Sequence, residues 1–130
     1  MAVPVTSPVD AERAAIVATV LDYFEGWFDG DAGRMERALH PGLAKRSLGQ
    51  VASAGAELRS VTKEQMVAWT AAGEGTEADP GPGRRIDVTV VDVHGNIASA
   101  VVDSDVYREY LHLVETDDGW KIVNALWHST

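Results

Sequence analysis

The 130-residue sequence contains no cysteine. This excludes disulfides, thiolate metal ligands and thiol nucleophiles, and it suits the cytoplasm, where we expect the protein to reside. Basic residues are also scarce, because 11 lysines and arginines stand against 20 acidic residues and give a formal net charge of -9. Phosphate groups would repel such a chain, so nucleic acid and anionic membranes are poor candidate partners. No apolar run approaches the roughly 20 residues of a membrane span, and the N-terminus lacks the basic start of an export signal.

The motifs of metal, nucleotide and nucleophile sites are missing as well. The sequence has no HExxH, no nucleophile elbow and no dinucleotide fingerprint. Its glycine-rich residues 73–83 lack the Lys-Ser/Thr ending of a phosphate loop. Asp103 and Asp105 are interpreted as turn residues, because no third or fourth carboxylate is clustered with them. We therefore expect no metal and no cofactor, so that any chemistry would be cofactor-independent.

The residues that are present predict one α+β domain over residues 1–130. Hydrophobic residues make up 45% of the chain and charged residues 24%, which is typical of a globular protein and not of a disordered one. Helical periodicity marks the first part. One helix is predicted to begin at Ser7 and Pro8 and to end at Gly30, and a short second helix is predicted between Asp31 and Pro41.

Further elements follow from capping and alternation patterns. Residues 43–51 are a strand candidate, Thr62 and Gln65 match a capping box at the start of a third helix, and residues 73–83 are predicted to be an irregular connection. Two predicted hairpins follow, with "HGN" and "DDG" as their turns and β-branched residues in their strands. Helices followed by an antiparallel meander indicate helices packed on one face of a curved antiparallel sheet.

Several segments together resemble a known family. These are "YFEGWFDGD", "LHP", "TKEQM", "VHGNIASAVV" and "YLHLVETDDGWKIVNALW", and they resemble the putative lumazine-binding family of the nuclear transport factor 2-like superfamily from Ala11 to Trp127. The resemblance implies a cone in which the helices and the bent sheet enclose a cavity, and a homodimer formed through the outer sheet face. The superfamily includes ketosteroid isomerases, dehydratases, epoxide hydrolases, polyketide cyclases and non-enzymatic modules, so it implies a small-molecule ligand without deciding between binding and catalysis.

The register of the last hairpin decides which residues face this cavity. If Asp117 and Asp118 form a two-residue turn, Thr116 pairs with Gly119, Leu113 with Ile122, Leu111 with Asn124, Glu109 with Leu126 and Tyr107 with His128. Tyr107, Glu109, Asn124 and His128 then share the inward face. If Gly119 instead belongs to a three-residue loop with a bulge, Tyr110 and His112 turn inward and Glu109 turns outward.

Three residues are candidates for acid-base chemistry. Glu109 in an apolar cavity would have a raised pKa and would suit a general base, and the resembled family typically carries an acidic residue at this position. The alternative is an exposed Glu109 paired with Arg108. His128 or His40 could complete the pair, although His40 also suits a structural cap at a helix C-terminus, and His128 lies near the chain end.

Five residues are candidates for ligand contact. Tyr23, Trp27 and Trp69 lie on apolar helix faces, where aromatic residues are often plain core but would also stack on a flat ligand in a cone. Tyr107 and Asn124 could stabilise an oxyanion or enolate. Our leading hypothesis is a protein that binds a small apolar or aromatic molecule, with or without turnover. The alternative is an association module whose cavity is filled by Trp27, Trp69 and Trp120.

Overall fold

In the computed structural model, which describes residues 8–48 and 57–130, helices lie against one six-stranded sheet. The helices are α1 (Pro8–Asp29), α2 (Ala32–Ala38), α3 (Lys63–Ala71) and α4 (Glu74–Ala78). The strands are β1 (Leu39–Ser47), β2 (Arg59–Val61), β3 (Ile86–His94), β4 (Ile97–Ser104), β5 (Tyr107–Thr116) and β6 (Gly119–Ser129). The predicted Ser7 cap and residues 49–51 of the predicted first strand lie outside the described residues. No described helix is long and apolar enough to cross a membrane.

The predicted starts of α2 and α3 are confirmed by their hydrogen bonds. The Asp31 carboxylate accepts a hydrogen bond from the Arg34 N–H at 3.1 Å and caps α2. The Thr62 hydroxyl accepts from the Gln65 N–H at 3.2 Å, while the Thr62 N–H donates to the Gln65 side chain at 2.9 Å. These reciprocal bonds are the capping box that starts α3.

Helix α4 corrects the prediction of an irregular connection over residues 73–83. Gly75 is buried where α4 packs on α1, and a Cβ atom there would lie 2.6 Å from Cδ2 of Trp27. The missing side chain therefore allows α4 to pack directly on Trp27. Glycine and proline residues in this segment are typical of a loop, but Gly75 lies in a helix and allows α4 to pack closely on α1.

The sheet has the order β2-β1-β6-β5-β4-β3. Strands β3 to β6 form the predicted antiparallel meander, whereas β1 pairs in parallel with β6 and antiparallel with β2, so the sheet is mixed. The first strand begins at Leu39, which is extended and pairs with Ile122. The prediction of a helical His40 is wrong, because the residue before Pro41 is driven out of the helical region and joins β1.

The register of β5 and β6 agrees with the two-residue turn only near the turn. Thr116 pairs with Gly119 and Leu113 with Ile122, as predicted. A bulge then inserts one extra residue, Val123, so that His112 pairs with Asn124, Leu111 with Ala125, Glu109 with Trp127 and Tyr107 with Ser129. The predicted pairs beyond Ile122 are therefore wrong by one residue. The alternative register with an outward Glu109 is also wrong, because Glu109 is buried and Tyr110 is exposed.

The core lies between the concave face of the sheet and the helices. Its fully buried apolar side chains come from α1, α2, the start of β1 and the meander, and the largest are Ile16, Phe28, Met35, Leu39, Leu111, Leu113 and Ile122. Trp120 is also buried, near the turn of the last hairpin. This packing fills the turn end of the sheet and leaves open space at the other end of β5, where the polar residues lie.

Candidate functional site

A cavity of about 110 Å³ lies between the helices and the concave face of the sheet. Aromatic side chains dominate its walls, which come from α1, α3 and four strands. The lining residues are Tyr23, Phe24, Trp27, Lys45, Val61, Met66, Trp69, Tyr107, Glu109 and Trp127. The cavity therefore has an apolar interior with very few polar groups, which is the usual character of a small-molecule site.

Glu109 is the carboxylate of this cavity and is only 2% exposed. Strand β5 alternates between its two faces, and Glu109 lies on the same inward face as the buried Leu111 and Leu113. Its Oε1 accepts a hydrogen bond from the Tyr23 hydroxyl at 2.7 Å, and its Oε2 lies 3.7 Å from Nζ of Lys45. Within the described residues, Oε2 thus has an ion-pair contact and no closer hydrogen-bond donor.

Lys45 brings a positive charge to the same position. It lies on β1 between the buried Leu43 and Ser47 and faces the cavity, because β1 lies beside β6 with Lys45 paired to Ala125. Its Nζ donates a hydrogen bond to the Tyr23 hydroxyl and lies 4.9 Å from the centroid of the Tyr23 ring. The Trp127 ring centroid is 5.4 Å from the same atom. Two aromatic faces and one carboxylate therefore surround the ammonium group.

The electrostatics of this cluster are set by burial. Loss of water raises the pKa of Glu109, while the positive charge of Lys45 and the Tyr23 hydrogen bond oppose that rise. Burial likewise lowers the pKa of Lys45, and the negative charge of Glu109 opposes the fall. Burial and the Glu109 charge hold the pKa of Tyr23 well above its ordinary value. The carboxylate is thus a stronger base than an exposed one, and Tyr23 stays a hydroxyl that can pass a proton between the two charged groups.

A second polar contact lies in the aromatic wall. The Trp27 indole N–H donates to the Tyr107 hydroxyl at 3.2 Å. The Tyr107 ring stacks on Phe28 at 6.0 Å and meets Trp127 edge-on at 5.5 Å. Burial raises the pKa of Tyr107, and the negative charge of Glu109 adds to the rise. Tyr107 therefore presents a neutral hydroxyl beside the carboxylate, in a ring position fixed from two sides.

Comparison with known families agrees with this architecture. The model of the family described as "Putative lumazine-binding" matches residues 11–128, nearly the whole chain. The chain belongs to this family. The resemblance seen in the sequence is thereby confirmed. No curated protein matches the chain.

Solved structures extend the likeness at the level of the fold. A nuclear transport factor 2-like protein of unknown function from Silicibacter pomeroyi is 20% identical, with a TM-score of 0.75, over 95% of this chain and 100% of that one. A similar protein from Shewanella baltica is 20% identical, with a TM-score of 0.74, over 97% and 98% of the two chains. A domain with a cystatin-like fold from Nostoc punctiforme is 14% identical, with a TM-score of 0.62, over 92% and 78%. The family member described here therefore has the nuclear transport factor 2-like fold.

Five of the eight predicted site residues line the cavity, and the other three do not. Tyr23, Trp27, Trp69, Tyr107 and Glu109 all line the cavity. The three remaining candidates, His40, Asn124 and His128, are not among its lining residues. A group of three or more histidine and acidic residues that could hold a metal ion does not occur within residues 8–48 and 57–130.

The bulge at Val123 explains where Asn124 and His128 lie. Both are exposed on the outer face of β6, where Asn124 meets His112 at 3.2 Å and His128 meets the Ser129 carbonyl at 2.6 Å. The prediction that these two residues face inward is wrong, because one extra residue exchanges the two faces of the strand.

His40 is held by its own turn. Its Nδ1 accepts a hydrogen bond from the Gly42 N–H at 2.9 Å on strand β1. The imidazole therefore satisfies a local backbone group, and its predicted position at a helix C-terminus is not found.

Lys45 and Trp127 line the cavity but were not among the predicted site residues. Lys45 had a usable signal, because it stands two residues from Leu43 in a predicted strand and so shares its face. Trp127 had none, because its inward position follows from the bulge at Val123 and no turn or glycine marks that bulge in the sequence.

Proposed function

We propose that this protein binds a small, largely apolar or aromatic molecule in the cavity and that Glu109 acts there as a general base without a cofactor. The observation that carries the proposal is a buried carboxylate facing an aromatic cavity, with Oε2 3.7 Å from Lys45 and free of a closer donor within the described residues. Burial raises the pKa of Glu109 and so its affinity for a proton, while the positive charge of Lys45 favours the ionised carboxylate. A proton on a bound molecule would therefore find an acceptor of suitable strength.

The volume of the cavity limits the size of the ligand. About 110 Å³ is less than the roughly 300–1,000 Å³ of pockets for drug-sized molecules and is close to the roughly 150 Å³ of a cavity that holds benzene. A molecule of about one ring would fit between Trp27, Trp69 and Trp127. Lumazine, the ligand in the family description, has two fused rings and would require wall side chains to move.

The proposed roles follow from the positions of the side chains. Glu109 would take a proton through Oε2, and the developing negative charge would lie near the Lys45 ammonium and the Tyr107 hydroxyl. In this proposal Lys45 is the acid-base partner of Glu109, a role that was predicted for His128 or His40. Tyr23 and Trp27 would orient the ligand, since their hydroxyl and indole N–H fix the two polar contacts of the cavity.

The test has two stages. Single-ring compounds are screened for a rise in melting temperature, which reports binding to the folded state. Ligands with an acidic C–H group are then incubated with protein in D2O, and NMR measures exchange of that hydrogen. Glu109→Gln should abolish the exchange and keep the fold, whereas Glu115→Gln, an exposed change on the same strand, should leave it unaltered.

The melting-temperature screen and the exchange assay together distinguish catalysis, binding without catalysis and the absence of binding. A ligand that raises the melting temperature without exchange in the wild-type protein favours a binding protein without chemistry. Full exchange in Glu109→Gln contradicts the assignment of the base. A screen without any stabilising compound contradicts ligand binding itself.

We infer in addition that a second copy of the chain covers the outer face of the sheet. Tyr110 and Leu126 pair across β5 and β6 on that face, and both are about half exposed, at 52% and 50%, beside the similarly exposed Leu58. A two-fold axis would bring this apolar group onto its own copy, as homodimer interfaces require. Leu126→Asp should then convert a dimer into a monomer in sedimentation experiments, while Val91→Asp, at an exposed apolar residue of β3, should not. A monomeric wild-type protein would refute the inference.

A further inference from the structure

We propose that Lys45 forms an imine with the carbonyl carbon of a small aldehyde or ketone held in the cavity. The proposal rests on the proposed function to the extent that the cavity must admit a small molecule. It gives that molecule a chemical class, a compact carbonyl compound, and it adds a covalent step at a second residue of the same site.

The position of the Lys45 amine supports this assignment first. A lysine side chain has three N–H bonds when charged, and within the described residues the Tyr23 hydroxyl is the one acceptor at hydrogen-bond distance from Nζ. The rest of the group faces the cavity and the rings of Tyr23 and Trp127. A carbonyl carbon can therefore approach Nζ from the cavity side, in surroundings that exclude water.

The two other lysines of the chain have different surroundings. Lys63 pairs with Glu36 at 2.9 Å, and Lys121 donates to the Arg37 carbonyl at 2.6 Å. Neither lines the cavity. Desolvation by apolar surroundings is a known means of making a lysine nucleophilic near neutral pH, and Lys45 is the lysine of the three that lines the aromatic cavity.

A route for the proton is present in the same cluster. Lys45 donates a hydrogen bond to the Tyr23 hydroxyl, which in turn donates to the Glu109 carboxylate. Burial shifts the pKa of Lys45 down and that of Glu109 up, so the two values approach each other. A proton that moves from Lys45 to Glu109 leaves a neutral amine and a neutral acid, and the net charge of the cavity stays at zero.

The covalent steps then balance. The Lys45 nitrogen lone pair forms a bond to the carbonyl carbon, the C=O electron pair moves to oxygen, and that oxygen takes the proton from Glu109. The nitrogen of the resulting carbinolamine returns a proton to Glu109, which delivers it to the departing hydroxyl group. Water leaves, and a protonated imine forms beside an ionised Glu109. The sum is one ammonium group and one carbonyl compound converted to one protonated imine and one water molecule.

The experiment uses benzaldehyde as the probe, because its single ring suits the volume of the cavity. The full chain is incubated with benzaldehyde and sodium cyanoborohydride, which reduces a protonated imine to a stable secondary amine much faster than it reduces the free aldehyde. Peptide mapping by mass spectrometry then compares labelling at Lys45, Lys63 and Lys121 within one sample. We expect Lys45 to be labelled faster by about tenfold or more, and we expect this preference to vanish in urea, where all three amines are exposed.

Variants at Lys45 and Glu109 test the roles of the amine and of the carboxyl group separately. Lys45→Met should remove the fast label while Lys63 and Lys121 keep their slow rates. Glu109→Gln should slow labelling of Lys45, because Gln cannot shuttle the proton. The wild-type comparison needs no variant, so the proposal stays testable even if a substitution impairs folding.

Benzyl alcohol, which cannot form an imine, separates this proposal from the proposed function. If benzyl alcohol raises the melting temperature but benzaldehyde labels Lys45 no faster than Lys63 or Lys121, the imine proposal is overturned and ligand binding stands. If benzyl alcohol has no effect and Lys45 is labelled no faster, neither the imine nor binding of this ligand class survives. Fast, fold-dependent labelling of Lys45 supports both.

Discussion

Replacing Lys45 by Met should make the stability of the protein strongly dependent on pH. The substitution keeps the length and apolar packing of the side chain but removes the charge that faces Glu109. At 3.7 Å and an effective dielectric constant of about 20, the lost attraction is about 4.5 kcal/mol. This value is one upper limit on the destabilisation. The free energy needed to protonate Glu109 is a second upper limit, because a protonated Glu109 no longer needs the Lys45 charge.

The free energy of protonating Glu109 is the smaller of these two upper limits. An isolated buried carboxylate avoids its desolvation penalty by binding a proton, which costs about 1.36 kcal/mol for each pH unit above its ordinary pKa. From the ordinary value of 4.5 up to pH 7 this amounts to about 3.4 kcal/mol. Because 3.4 is smaller than 4.5, protonation determines the result, and we expect Lys45→Met to lose about 3 kcal/mol at pH 7. In a domain of this size that corresponds to a melting temperature lower by about 10 °C.

The sign of the pH dependence follows from the direction of the Glu109 pKa. A carboxyl group whose folded pKa lies above its unfolded value stabilises the fold at acidic pH, and this contribution is lost as the pH rises through the folded pKa. Burial already raises the Glu109 pKa in the wild-type protein, and removal of Lys45 raises it further. The stability of the variant should therefore fall by up to about 1.4 kcal/mol per pH unit above about pH 4.5, and more steeply than that of the wild type.

Urea unfolding at several pH values between about 5 and 8 measures both quantities. Lys121→Met removes a lysine outside the cavity and should change neither the slope nor, by more than about 1 kcal/mol, the stability. The double variant Lys45→Met, Glu109→Gln should lose this added pH dependence, because the buried carboxyl group that causes it is gone. Equal slopes for Lys45→Met and the wild type, or a deficit below about 1 kcal/mol at pH 7, would refute the reasoning.

Three shorter predictions test other parts of the site. Tyr23→Phe keeps the ring but leaves Lys45 and Glu109 without their shared partner, so urea unfolding should show a loss of about 1–3 kcal/mol. Gly75→Ala should lose about 1–3 kcal/mol, because the added methyl group collides with Trp27. Gly33→Ala should be neutral or slightly stabilising in the same assay, because a Cβ atom at this position of α2 would make only an ordinary contact of 3.4 Å with Oδ1 of Asp31. Asn124→Ala on the outer face should leave the affinity for a cavity ligand unchanged in calorimetric titration. A tenfold loss of affinity would contradict the outward position of Asn124.

Features set by local chemistry could be predicted from the sequence. The cap of Asp31 and the reciprocal bonds of Thr62 and Gln65 depend on residues three positions apart, and both are found. The inward face of β5 follows from strict alternation, which places Tyr107 and Glu109 beside each other on the concave side. These predictions succeed because each needs only neighbouring residues or a period of two.

Features set by distant contacts could not be predicted. The position of Lys45 depends on parallel pairing of β1 with β6, which brings together parts of the chain about 80 residues apart. The extra residue Val123 carries no local signal, since a valine suits a regular strand as well as a bulge. Because side chains alternate with a period of two, that one residue was enough to turn Asn124 and His128 to the outer face.

The bulge at Val123 also decides the chemistry that the cavity can hold. Without it, Asn124 would lie on the inward face of β6 opposite Leu111 and supply an amide that needs partners of its own. With it, Trp127 closes that side, and the carboxylate has Lys45 as the charged group that faces it. The polar cluster is then electrically neutral and bonded within itself, so an uncharged ligand can enter without leaving a buried charge unpaired. The same neutrality persists when a proton moves between Lys45 and Glu109, which is why a proton-transfer role and an imine role are compatible in one site.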